Sequence, residues 1–253
     1  MPVNQDCAGG LRTVAGARRE LRFKASEGTM FEERLATGRN TSTSETATKY
    51  IVDLSTMEQM LLNVISGGRA RPEHIKRFHV EAFLPHVRDF LLMLEEVLGS
   101  QWPEITPPNS DPFRRLYVHG WPFALKGIAL AYHKARITDL GPLAASIGAV
   151  DTAKPVKEAF EAAVQAMRQA WTTTAPLSAE DLKQRLKQIK WERYRAHWIA
   201  ITGAKMKDGK PRRAPLKSTG GKEKAVGQAQ NTAYNITAVA DKIVSANWTD
   251  LTV

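Results

Sequence analysis

At 253 residues and 43% hydrophobic, the chain is long enough to bury one substantial core or two small ones, and too apolar to be globally disordered. Its formal charge of +10 favours a polyanionic partner, because clustered Lys and Arg gain free energy by displacing counterions from phosphates. The single cysteine, Cys7, excludes an intrachain disulfide and a thiolate zinc site, and no apolar run approaches the ~20 residues that span a bilayer, so a cytoplasmic chain without membrane or cofactor is expected.

The first 45 residues hold scattered Gly and Arg (Gly9, Gly10, Gly16, Arg18, Arg19) without sustained periodicity, which predicts a mobile or loosely docked N-terminal arm. A helical region is predicted over 46–150. Ser42 with Glu45 and Ser55 with Glu58 match the capping box that satisfies orphan amides at a helix start. Met57, Met60, Leu61, Val64 and Ile65 then recur at helical spacing until Gly67-Gly68 stops them. Pro85 suits the first turn of the next helix, whose stripe is Val87, Phe90, Leu91, Leu94, Val97 and Leu98, ended by Gly99. The Pro-rich stretch from Gln101 to Ser110 reads as a loop, and Asp111-Pro112 as an N-cap and first helical residue. Phe123 to Ile137 is apolar nearly all round and is predicted to be the central buried helix.

Residues 151–253 are read as a second helical region, forming one domain with the first or a separate one. Val156, Phe160, Ala163, Val164, Met167 and Trp171 share one face of an amphipathic helix. Ser178 with Glu180 and Asp181 caps another, with Leu182, Leu186 and Ile189 inward. Trp198 to Thr202 is β-branched and aromatic, and Asp208-Gly209 is a hairpin-turn dipeptide, so a small ribbon is expected over 198–218. A last helix is predicted over 225–244. The fold class expected is mainly α, a multi-helix globular fold with a small C-terminal β-hairpin.

The ribbon is also where the charge lies. Between Gly203 and Lys224 eight basic residues face two acidic ones, more than half of the excess carried by the whole chain. Lys205, Lys207, Lys210, Arg212, Arg213 and Lys217, with Arg193 and Arg195 upstream, are the candidate nucleic-acid-binding residues, since Lys and Arg hold a phosphate backbone. Trp191, Tyr194 and Trp198 beside them could serve as base-stacking rings or as an anchor. Gly203 to Lys210 comes near a phosphate loop but has five residues between its glycines, and Pro211 stands where a magnesium-binding hydroxyl is needed. No two of the six histidines have the spacing of a helical metal pair, and Ser146 lacks the first glycine of a nucleophile elbow. No catalytic or metal-ligating residue is assigned.

Several spaced positions carry a likeness to a known group: Trp102-Pro103-Glu104, Arg114-Arg115-Leu116-Tyr117-Val118-His119-Gly120 leading into Ala129, Ile189-Lys190-Trp191-Glu192-Arg193 with Trp198, and Asn231-Thr232. In these the chain resembles the C-terminal part of the DndB family of DNA sulfur modification proteins, the DGQHR-domain group. The pentapeptide that names the group is absent, so the likeness is to the portion of the family C-terminal to that motif and spans roughly residues 50–245. It implies a DNA-binding regulatory or accessory role in DNA phosphorothioation, including transcription regulation, and no catalytic residue. A helical protein-interaction scaffold, working with a protein partner or a second copy inside a larger defence or modification complex, is the main alternative. A nucleotide hydrolase is the other.

Overall fold

The computed structural model describes residues 6–32, 34–36, 52–68, 80–102, 117–136, 177–192, 195, 197–198, 201 and 232–245. Among them the fold is mainly α, as expected, with six α-helices. The only sheet among the described residues is a parallel pair of two-residue strands, β1 (Leu35–Ala36) and β2 (Val52–Asp53), with Leu35 opposite Val52. No helix of the described residues is long and apolar enough to cross a membrane.

Helix α1 (Asp6–Ser26) lies in the expected N-terminal arm, and residues of it between 16 and 36 pack on the helical body. Ala17, Leu21 and Ala25 are buried at spacings of four, and Phe31 and Leu35 continue inward after them. The stripe is thin because two of its three members are alanine, which left little periodic signal. Polar clamps complete the docking: Arg22 reaches Glu58 at 2.7 Å and Lys24 reaches Glu81 at 2.6 Å. Gly28, at φ 68, makes the left-handed turn that leaves the helix. Arg88, from a neighbouring helix, donates to the Lys24 and Glu27 carbonyls at 3.3 and 2.7 Å, supplying partners that the helix end lacks.

Helix α2 (Leu54–Ser66) starts at Asp53, whose carboxylate accepts from the Thr56 amide at 2.7 Å and from its hydroxyl at 2.9 Å. Asp53 therefore displaces the Ser55–Glu58 capping box, and Ser55 lies inside the helix. Gly67 ends it at φ 62, as predicted, with its amide on the Asn63 carbonyl. Helix α3 (Val80–Leu98) contains Pro85 instead of beginning at it. Burial of Val80 and Phe83 extends the predicted stripe upstream, and two such side chains, at about 1.5–3 kcal/mol each, offset the roughly 3 kcal/mol that an internal proline costs.

Helix α4 (Pro122–Arg136) is buried from Phe123 to His133, which bears out the central position read from its all-round apolarity. It touches α2 through polar links as well as packing: Asn63 donates to the Lys126 carbonyl at 3.0 Å, and His133 Nδ1 donates to the Val64 carbonyl at 2.7 Å. Helix α5 (Ala179–Gln188) begins at the predicted cap, Ser178, which accepts from the Asp181 amide at 3.0 Å. Helix α6 (Ala233–Ser245) lies so close to α4 that a Cβ on Gly127 would come within 2.6 Å of the Val239 side chain. Arg185 of α5 donates to the Ile243 and Val244 carbonyls at its end. Buried residues of all six helices belong to one hydrophobic cluster.

The strand expected from Trp198 is corrected where it is described, for His197, Trp198 and Ile201 are helical. Packing decides the matter: Trp198 stacks on Trp191 with centroids 5.2 Å apart, and its amide bonds back to the Arg195 carbonyl at 3.0 Å in a tight turn. The hairpin with its Asp208-Gly209 turn, the Ser42–Glu45 helix start, the Asp111-Pro112 cap, the Val156–Trp171 helix and residues 225–231 of the last helix lie outside the described residues.

Candidate nucleic-acid interface

The approach to the basic segment is built on rings. After α5 the chain extends through Ile189, and the Val118 amide donates to the Trp191 carbonyl at 2.8 Å beside an antiparallel bridge between Tyr117 and Glu192. Trp198 Nε1 and His197 Nε2 both donate to the Lys190 carbonyl, at 2.7 and 3.0 Å, while Trp191 Nε1 donates to the Leu186 carbonyl at 3.3 Å. Trp191 meets His119 edge-on at 5.4 Å, His119 lies parallel to Trp102, and Trp102 meets Phe31 edge-on at 5.3 Å. A ladder of rings thus runs from the turn after α1 to the residues just before the basic run. Trp191 and Trp198 are 2% and 1% exposed, so of the two roles open to them in the sequence they fill the anchor.

Of the predicted contact residues, Arg195 is the one whose surroundings are described. Its Nη2 lies 3.2 Å from Glu192 Oε1, and a third of its side chain meets solvent. Burial by itself would push the Glu192 carboxyl up. The hydrogen bond from Arg195, a backbone hydrogen bond and the charges of Arg195 and Lys190 instead hold it below the usual carboxylate range. Arg193, Lys205, Lys207, Lys210, Arg212, Arg213 and Lys217 lie outside the described residues.

Several cations of the helical body lie against carboxylates. Arg18 and Arg22 share Glu58, Lys134 pairs with Asp241 at 2.5 Å, and Lys183 and Lys187 share Glu96. Hydrogen bonds to Glu81 and Glu20 hold the Lys24 ammonium above its ordinary value, and the one from Lys183 holds the Glu96 carboxyl below its own. Exposed pairs of this kind stabilise little, so their importance here lies in the charge they cancel.

The described groups offer little chemistry. Burial pushes the His119 imidazole down to about 3, and burial together with the Arg136 charge pushes His86 down to about 4, so both rings are neutral near neutral pH. Lys126, 7% exposed, is held below its ordinary value by burial, against the opposing charge of Asp53, the N-cap of α2. Among the described residues no group of three or more His, Cys, Asp or Glu could hold a metal ion.

One residue that the sequence reasoning passed over is Tyr234, whose side chain is 76% exposed in the first turn of α6. The signal was present: it falls off the stripe formed by Asn235, Val239, Ala240 and Ile243. Compared with protein-family models, curated proteins and solved structures, the chain matches none.

Proposed function

We propose that this chain is a cytoplasmic DNA-binding protein with a regulatory or accessory role, in which a helical body carries the Lys/Arg-rich run 203–224 to a phosphate backbone. The observation that carries the reading is a contrast of charge. Arg18, Arg22 and Lys24 of α1, Lys134 of α4 and Lys183 and Lys187 of α5 lie against carboxylates, whereas the run between Gly203 and Lys224 sets eight basic residues against two acidic ones. Uncompensated cations of this density gain most from releasing counterions condensed on nucleic acid. The link to DNA phosphorothioation rests on the DndB resemblance, in which Trp102, His119, Trp191 and Trp198 are members of the ring ladder and so have a structural use. The apolar stripes of α2, α3 and α5 are buried in the chain's own core.

Duplex affinity measured against salt tests the proposal. A steep fall of log K with log salt is expected, and replacing Lys210, Arg212 and Arg213 by Ala should reduce the slope by about 2.7, close to 0.9 per lost phosphate contact. A flat plot, or a slope indifferent to the triple substitution, would sink it.

A further inference from the structure

Large apolar side chains stand out in solvent at Phe23, Leu92 and Tyr234, which are 66%, 42% and 76% exposed. Phe23 and Leu92 share a setting, with an arginine four residues before and a glutamate four residues after, at the spacing that lines up one helical face. On α3 both charges of that pattern are spent inside the chain. Arg88 donates to the Lys24 and Glu27 carbonyls, and Glu96 takes Lys183 and Lys187. On α1 the two charges are left over. Arg18 and Arg22 lie on Glu58, and Lys24 lies between Glu20 and Glu81, yet Arg19 and Glu27, both exposed, have no ion-pair partner among the described residues. Glu27 keeps the helical spacing although it follows the last residue of α1, because its amide donates to the Phe23 carbonyl at 3.1 Å.

We infer that Arg19, Phe23 and Glu27 form the contact through which this chain pairs with a second copy of itself, the two α1 helices lying antiparallel about a two-fold axis at Phe23. A face that reads cation, ring, anion at equal spacing complements its own reversal. Antiparallel pairing sets Arg19 against the partner's Glu27 twice over and the two rings against each other, whereas parallel pairing would set arginine on arginine. A phosphate surface fits the same face poorly, since Glu27 would be turned toward it while Arg18, Arg22 and Lys24 are already engaged. Close approach is possible. Gly16 lies two turns before Phe23, and a Cβ built there would meet nothing within 4 Å, so bare backbone faces the partner. From Gly16 to Glu27 the face is roughly 16 Å long at 1.5 Å per residue, which places the contact among small interfaces that form and dissolve with concentration.

Sedimentation equilibrium of the full chain over a range of concentrations tests this. The unaltered chain is expected to pass from monomer to dimer as concentration rises, and Phe23→Ala to weaken that association by about 30-fold or more, as loss of a central aromatic anchor does. Arg19→Glu and Glu27→Arg each set like charges together twice and should each weaken it by roughly tenfold or more. An equimolar mixture of those two variants restores both opposite-charge pairs and should regain the association as a mixed dimer. Tyr234→Ala should leave it unchanged. All of these side chains face solvent, so the variants are expected to keep the circular dichroism of the unaltered chain. A chain that stays monomeric at every concentration overturns the inference. A dimer that survives Phe23→Ala does so too, as does a mixture of the two charge-reversed variants that remains monomeric. The DNA-binding reading stands or falls separately, on the salt dependence of duplex affinity.

Discussion

Helices α1 and α6 occupy opposite ends of the described chain and are finished by the same device, an arginine from a neighbouring helix donating to their last carbonyls. Their flanks are held differently. Helix α1 lies on a thin stripe, Ala17, Leu21 and Ala25, reinforced by Arg22–Glu58 and Lys24–Glu81. Helix α6 is held by fit, with Val239 against the bare backbone of Gly127 and Val239, Ala240 and Ile243 fully buried. A helix clamped by exposed ions responds to salt, and one seated in a steric notch responds to volume.

Acid is expected to produce the largest effect and to strike the α1 end through the ring ladder, which joins the turn after α1 to the residues following α5. His119 titrates near 6.5 when unfolded and at about 3 in the fold, so its contribution is complete above pH 6.5 and is lost as pH falls toward 3. The loss is on the order of 4 kcal/mol by pH 3, read from urea midpoints at stepped pH. His119→Phe, which keeps a ring in the ladder, should make the profile less steep from pH 6.5 down to about 3, leaving above about pH 4 the slope that His86 contributes.

Volume changes should separate the two ends next. Ile243→Ala is expected to cost ~2–5 kcal/mol by chemical denaturation, in the range for truncating a buried aliphatic side chain. Gly127→Ala, which adds one methyl where 2.6 Å is available, should cost ~1–3 kcal/mol. If Gly127→Ala proves neutral, α6 slides on α4 and the notch is not what holds it. The caps come third: Arg88→Ala and Arg185→Ala should each cost roughly 1–2 kcal/mol, since both remove charge-assisted bonds to helix-end carbonyls. The smallest effect concerns salt. Raising ionic strength should loosen α1, clamped by two ion pairs, more than α6, whose steric seat is helped by Lys134–Asp241, visible as a larger rise in amide exchange over 17–26 than over 235–243.

The legibility of the sequence tracked the same division. Helices α2 and α5 were readable because bulky side chains repeat on one face and a glycine or serine marks an end, and α4 because it is apolar nearly all round. Helix α1 was hidden by alanines that bury little area, and Asp53 outcompeted Ser55 as a cap through a choice of register that periodicity does not contain. The run from Trp198 looked like a strand because local propensity cannot register a partner such as Trp191, seven residues earlier in sequence. For the candidate interface, the basic run was plain from composition, and Glu192 stood in view three residues from Arg195. The exposure of Tyr234 was legible too, since it falls off the stripe of Asn235, Val239, Ala240 and Ile243 that faces inward.

The Lys190 carbonyl, taking both the Trp198 and His197 ring hydrogens, is a fixed post at the threshold of the basic run. On the far side the chain is secured again by the Thr232 hydroxyl and the buried Asn235. Two fixed points, a doubly used carbonyl before the charged run and a capped helix start after it, thus bracket that run in the chain.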